Sequence, residues 1–312
     1  FEQIIYQAIK KNVSDIHLQC TEKGVIKFRI CGELLTYEIY EKTNIIQLMN
    51  YIRFISKIDL NYYRKPQTGH YVYVLNNKKY NLRISSLIGK DMDSIVIRIL
   101  NNHQKLSLEN ISKDIHVYQF LKQIVQKDSG LFVISGATGS GKSTTLYAIL
   151  DAINKMYKKN IITLEDPIEI NKDYCLQIEI DDRKGISYHE SLKQILRHDP
   201  DVIMVGDEKT AQLALTCALT GHLVLTTIHA SNCINTIKRL ENLNISSLDL
   251  EDVLLGIMTQ KMRFNDKKEV FILSEYIDQK NLLKYFDRKK IDYYDFSKAA
   301  CTLKNVGVLN EK

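Results

Sequence analysis

The segment Leu131 to Thr145, LFVISGATGSGKSTT, limits the folds open to this chain more than any other. Its apolar run Leu131 to Ile134 reads as a buried strand, followed by Gly136, Gly139 and Gly141, and Lys142-Ser143-Thr144 then opens a segment of helical apolar spacing. A strand, a glycine loop and a helix in that order aim backbone N–H groups and the positive end of the helix at one anion. The spacing Gly136-x4-Gly141-Lys142-Ser143 is that of a Walker A phosphate loop. Glycines are needed because a side chain would block the backbone's approach to a polyphosphate. The pattern therefore predicts that Gly136, Ala137, Thr138, Gly139, Ser140, Gly141, Lys142, Ser143 and Thr144 wrap the phosphates of ATP. Lys142 would reach the β and γ phosphates, and the Ser143 hydroxyl would take one position on Mg²⁺.

From about residue 115, strands alternate with helices, the grammar of a parallel sheet covered by helices. Strand candidates are Leu131 to Ser135, Asn160 to Leu164, Val202 to Val205 and Leu223 to Ile228. Helices are expected from Lys142, from Ser187 (with the capping-box pattern Ser187-x-x-Glu190) and from about Lys209, the last stopping at Gly221. Three strand ends then deliver Glu165-Asp166, Asp207-Glu208 and His229 to the carboxyl edge, where parallel α/β sheets bind ligands. ATP hydrolysis needs a carboxylate near the metal and a group that orients water, and Glu165 and Asp207 stand where both are wanted. Strand-end carboxylates also cap helices, and a histidine beside an apolar strand is more often a hydrogen-bonded structural residue. With His222 preceding the same strand, His229 is the stronger candidate for a γ-phosphate contact.

Residues 1 to 100 mix amphipathic helical segments with alternating runs, as in an α+β domain. Helices are expected over Phe1 to Lys10 and Ile45 to Leu60, and turns at Cys31-Gly32-Glu33 and Asn76-Asn77. Residues 101–114 are polar and weakly periodic, which predicts a linker. The predicted organisation is thus a smaller N-terminal α+β domain (1–100), a linker (101–114), an α/β ATPase domain (115–264) and a charged extension (265–312), with Phe271 to Leu273 and Leu282 to Phe286 as candidate small elements, whose role the sequence does not reveal.

With 312 residues and 45% apolar composition, two buried cores are within reach. No apolar run is long enough to span a bilayer, and no basic segment precedes an apolar one near Phe1, so neither a membrane span nor an export signal is expected. The chain starts at Phe1 rather than at methionine, as a trimmed or renumbered chain would. Cys20, Cys31, Cys175, Cys217, Cys233 and Cys301 include no C-x-x-C pair, which argues for reduced thiols in a cytoplasmic protein. The net charge of +6 comes without a basic stripe interleaved with aromatics, so direct nucleic-acid binding is not expected.

Further motifs extend the pattern. Ser14-Asp15-Ile16-His17-Leu18, Phe28-Arg29-Ile30-Cys31-Gly32, Arg64-Lys65-Pro66-Gln67-Thr68-Gly69, Arg83-Ile84-Ser85 and Arg98-Ile99-Leu100 precede the phosphate loop. Thr163 to Glu169, Arg197 to Asp207 and Thr220 to His229 follow it. This ordered set resembles the secretion ATPase superfamily, the motors of type II secretion and type IV pilus systems, over about residues 10 to 262. The resemblance implies a PAS-like N-terminal domain and a RecA-like ATPase domain, assembled as a homohexamer. It implies that Arg83 and Arg98 act as arginine fingers and that Glu165 is the general base. It also implies that Ser143 and Asp207 hold Mg²⁺, partly through water, and that an integral membrane pilus-platform protein is the partner, with the motor peripheral on the inner face of the membrane.

One departure concerns the Walker B region, which the family writes G-E-I-R-D. Here Gly206 runs directly into Asp207-Glu208-Lys209. Either three residues are missing from the sequence or Asp207 replaces the glutamate. The lack of a zinc-type cysteine pair and of a retraction-type A-I-R motif makes the chain most similar to the competence-pilus branch, which supports DNA uptake. The competing expectations are a pilus-retraction or general secretion motor, a RecA-like DNA translocase, and a ring that binds nucleotide without hydrolysing it.

Overall fold

Burial alternates residue by residue through the first part of the chain, and this builds a sheet with one apolar face. The structure, a computed structural model, describes residues 1–62, 65–100, 107–180, 185–206, 210–265 and 269–309, in two compact units, Phe1–Gln104 and Lys105–Lys312. The first unit comprises α1 (Glu2–Lys10), β1 (Asp15–Cys20), β2 (Gly24–Ile30), β3 (Glu33–Tyr40), α2 (Lys42–Ile55), β4 (Gln67–Leu75), β5 (Lys78–Ile88) and β6 (Asp93–Leu100). Its strands form one antiparallel sheet ordered β3-β2-β1-β6-β5-β4. Ile4, Ile5 and Ala8 of α1 and Ile45, Met49 and Ile52 of α2 pack on Ile16, Leu18, Ile26, Phe28, Leu82, Ile84, Ile95 and Ile97, so both helices cover the same face. Asp15, Arg29, Arg83 and Arg98 alternate onto the other face.

The two hairpins turn where expected. Cys31 and Gly32 have φ of +49° and +86°, and Asn76 and Asn77 have +49° and +61°, the left-handed pairs whose twist matches the flanking strands. Helix α2 is shorter than its apolar spacing predicts and ends at Ile55. Ser56 Oγ donates back to the Ile52 carbonyl at 2.7 Å, and Lys57 takes φ +59°, which turns the chain out of the helix.

Arg53, 2% exposed, is the largest fully buried side chain of this unit and pairs with Asp93. It also donates to Ser86 Oγ at 3.0 Å and to Asn50 Oδ1 at 3.1 Å. Removing it would strand a half-buried carboxylate and open a large void. Arg53→Ala is therefore expected to destabilise the first unit by about 2–4 kcal/mol, read as a shift in its chemical denaturation midpoint.

The second unit comprises α3 (Leu108–Ile111), α4 (Ile115–Val125), β7 (Gly130–Gly136), α5 (Lys142–Met156), β8 (Ile161–Glu165), β9 (Leu176–Glu179), α6 (Tyr188–Ile195) and β10 (Val202–Val205). It continues with α7 (Ala211–Leu219), β11 (Leu223–Ile228), α8 (Cys233–Asn242), α9 (Ser247–Val253), β12 (Leu254–Phe264), β13 (Val270–Asp278), α10 (Gln279–Phe286) and α11 (Phe296–Asn305). The seven-stranded sheet runs β13-β12-β7-β11-β10-β8-β9, parallel except for the β12–β13 pair. Every residue of β7 is buried because both faces are covered. Leu131 and Val133 enter the core shared with α7, α8 and α9, and Phe132 and Ile134 enter the core shared with α4 and α5.

Three features depart from the expected organisation. Within the stretch expected to be a linker, residues 107–114 are part of the second unit. Leu108 and Ile111 of α3 are buried against α4 and α5, while residues 101–106 lie outside the described residues. The second unit runs on past residue 264, because β13 pairs with β12 along nine residue positions. The segment after it also folds back. Tyr294 stacks on Tyr276 at 5.1 Å, Tyr276 stacks on Phe120 at 4.2 Å, and Tyr294 Oη donates to Asp114 at the start of α4 at 2.7 Å. Last, β9 is a four-residue edge strand with no period of its own, and pairing with β8 makes it a strand.

Candidate active site

The carboxyl ends of β7, β8, β10 and β11 lie on one edge of the sheet, because these strands are parallel in register. The phosphate-loop pattern sits there as a turn built on positive φ, with Gly136 at +147°, Gly139 at +77° and Gly141 at +91°. A Cβ on Gly136 would come within 2.5 Å of the Gln260 carbonyl oxygen, so that position admits no side chain. Ala137, Thr138 and Gly139 are exposed at the tip, while Ser140 is buried. Helix α5 starts at Lys142 with Gly141 as its N-cap and no side-chain capping bond, which leaves its first N–H groups available to an anion. Ser140 Oγ is buried without a hydrogen-bond partner. An orphaned buried hydroxyl and uncapped amides in one loop are the donors a phosphate satisfies.

Lys142 Nζ donates to the carbonyl oxygens of Gly136 at 2.9 Å and Ala137 at 3.0 Å, so the ammonium lies across the loop. Burial pushes its pKa down, and the Glu169 carboxylate opposes that shift. Ser143 and Thr144 follow on the first turn of α5, half-buried.

Glu165, at the end of β8, is 5% exposed. Tyr147 Oη donates to both of its carboxylate oxygens, at 2.6 and 2.7 Å. Thr163 Oγ1 donates to Oε1 at 2.7 Å, and Gln177 Nε2 reaches the same oxygen at 3.2 Å. Oε1 thus accepts three bonds and Oε2 one, which leaves Oε2 with capacity to spare. Burial raises the Glu165 pKa, with the Tyr147, Thr163 and Gln177 donors pulling the other way. Ser143, Glu165, Asp166, Glu169, Gly206 and Thr227 are among the residues lining a cavity of about 60 Å³, the scale of a few water molecules. A hydroxyl, carboxylates and room for water suit a small hydrated cation. No group of three acidic, histidine or cysteine side chains among the described residues could hold a metal alone.

The remaining candidates are distributed as follows. His229 is exposed just beyond β11, on the phosphate-loop edge. His222 corrects an expectation: it precedes β11, at the opposite edge, where its Nδ1 lies 3.0 Å from the Cys217 carbonyl and 3.1 Å from Thr220 Oγ1. It therefore lends His229 no support. Asp207 and Arg64 lie outside the described residues. Arg83 and Arg98 are cross-strand neighbours on β5 and β6 of the first unit, and Arg98 Nε donates to Asp15 at 2.8 Å.

Tyr147, Gln177 and Gln260 are site residues that motif reasoning missed. Gln260, fully buried on β12, exchanges hydrogen bonds with Thr145 at 2.9 and 3.2 Å, and Thr145 Oγ1 donates to the Gly141 carbonyl at 3.1 Å. That chain anchors the loop to its neighbouring strand. The available signal was a polar glutamine two residues after the apolar run Leu254 to Met258, and a tyrosine on the apolar face of the phosphate-loop helix. A cavity of about 930 Å³ lies in the first unit. Its buried charge, Arg53, is already paired with Asp93, so nothing there converges on a ligand.

The family model described as "Type II/IV secretion system protein" matches residues 1–286. A competence protein, ComGA of Halalkalibacterium halodurans, is 37% identical over 265 residues, 83% of this chain and 76% of that protein. The type II secretion system ATPase E of Vibrio cholerae is 33% identical over 292 residues, 91% of this chain and 57% of that protein. Among solved structures, the Yersinia pseudotuberculosis ATPase DotB superposes with a TM-score of 0.79 at 22% identity, over 99% of this chain and 90% of that one, and so shares the fold. A match across most of the chain, with the phosphate loop and the buried glutamate on one sheet edge, leaves one assignment: the chain belongs to the type II/IV secretion system protein family.

Proposed function

We propose that this chain, an ATP-hydrolysing enzyme, is the motor subunit that powers assembly of a competence-type pilus for DNA uptake. It would work as a homohexamer on an integral membrane platform protein, at the cytoplasmic face of the cell membrane. The observation that carries this reading is the 37% identity to a competence protein across 83% of the chain.

In this mechanism the loop Gly136 to Thr144 binds the triphosphate, and Lys142 exchanges the two loop carbonyls for the β and γ phosphates. Ser143 and Asp207 would hold Mg²⁺, partly through water, and the bound ion would neutralise charge on the phosphates. Glu165 orients the attacking water and accepts its proton at Oε2, while Tyr147, Thr163 and Gln177 keep the carboxylate from rotating. His229 contacts the γ phosphate. Arg83 and Arg98 supply positive charge to the transition state. ATP hydrolysis would drive the platform protein to insert pilins.

Deleting the gene is expected to abolish surface pili and DNA uptake. Cells with excess, unretracted pili would instead identify a retraction motor and overturn the proposal. The alignment to a type II secretion ATPase over 91% of the chain favours a secretion motor as second reading; intact pili with a loss of protein export would establish it.

A further inference from the structure

The net charge is unevenly distributed. Residues 1–104 carry 15 basic and 9 acidic side chains, whereas the second unit carries 28 of each. Part of that excess forms a row across the first unit's sheet. Asp15 on β1 is paired in register with Arg29 on β2 and with Arg98 on β6, and Arg98 is paired with Arg83 on β5. Arg98 is ion-paired with Asp15, Arg29 Nη1 donates to the Gly32 carbonyl at 3.0 Å, and Arg83 stands directly opposite Arg98, an arrangement that repels unless an anion intervenes. His17, next on the same face, adds no charge near neutrality, because burial and then the Arg29 charge push its pKa down.

The Asp15–Arg98 pair is asymmetric. The Asp15 side chain is 8% exposed and is held by Ser14 Oγ at 2.9 Å as well as by Arg98, whereas the Arg98 side chain is 54% exposed. The ion pair uses Arg98 Nε, at 2.8 Å from Asp15 Oδ1, rather than the terminal fork. A guanidinium carries five N–H donors, so a bond through Nε leaves the four on its terminal nitrogens for another acceptor, in the planar geometry that suits phosphate oxygens.

We propose that Asp15 is a positioning residue for ATP hydrolysis, a buried carboxylate that holds Arg98 by Nε with its terminal nitrogens set to receive a phosphate. This inference rests on the reading of Arg98 as an arginine finger. A long side chain fixed before the nucleotide arrives loses less freedom in the transition state, so the benefit falls on kcat rather than on nucleotide affinity. It also explains why an aspartate is buried beneath an arginine that is itself exposed.

The test is a double-mutant cycle on the full-length assembled protein, with phosphate release measured at saturating ATP and magnesium. Arg98→Ala is expected to lower kcat by about 10–100-fold. Asp15→Ala is expected to lower kcat by about 3–10-fold with KM for ATP within about twofold, and Asp15→Asn, which keeps an acceptor oxygen, should lose less. In the Arg98→Ala background, Asp15→Ala should cost nothing further. If Arg98→Ala leaves kcat unchanged, the arginine-finger reading itself fails. If Arg98→Ala is impaired but Asp15→Ala is not, or if the two losses multiply, the finger stands and the positioning role is wrong. Should Asp15→Ala unfold, Asp15→Asn carries the same cycle.

Discussion

Lys142→Ala abolishes steady-state phosphate release, with kcat expected to fall by at least about 100-fold, while the protein keeps its fold and its assembly. In the proposed mechanism the ammonium is the positive side chain that meets the phosphates, and in this structure it lies 2.9 and 3.0 Å from two loop carbonyls. Truncation removes those two internal bonds but leaves the glycine turn, because Thr145 and Gln260 hold the Gly141 carbonyl and the helix start independently. The measurement is phosphate release beside a thermal melt. Normal turnover in that variant would exclude the phosphate loop as the site.

Glu165→Gln is expected to lower kcat by about 10²–10³-fold with nucleotide binding retained. The amide fills the same space, yet it offers neither a full negative charge to the water nor a place for its proton. Tyr147, Thr163 and Gln177 all donate toward the carboxylate, so one amide orientation would also oppose donor to donor. Because burial raises the Glu165 pKa, the acid limb of the kcat–pH profile should lie above the ordinary carboxylate range, with activity lost as pH falls through it. Tyr147→Phe removes a donor that favours the ionised form. The limb should therefore move to still higher pH, with activity recovered at alkaline pH. A Glu165→Gln variant that turns over ATP at the parent rate would remove Glu165 from the chemistry.

Legibility followed the range of the interaction. Local rules located the strand-to-helix turn at Gly136 to Ser143, the asparagine hairpin at Asn76-Asn77, and the Ser187 cap, whose Oγ accepts from Glu190 N at 3.3 Å. They failed at α3, where only Leu106, Leu108 and Ile111 are apolar in the polar stretch 101–114, and at β9, a strand only because β8 lies beside it. Beyond residue 264 the short apolar runs Phe271 to Leu273 and Leu282 to Phe286 mark β13 and α10 only in part, and charged residues conceal their full extent and α11.

In the candidate site the same division applies. Sequence alone marked the candidates for chemistry, because a phosphate loop works through backbone geometry that glycine spacing dictates, and because a carboxylate or histidine after an apolar strand must reach the sheet edge. Tertiary structure decided how those groups behave. Tyr147 and Glu165 are 18 residues apart, Thr145 and Gln260 115, and Asp15 and Arg98 83. A proton's affinity for Glu165, the reach of Lys142 and the orientation of Arg98 depend on burial and on donors brought from other strands, and no local pattern encodes those distances.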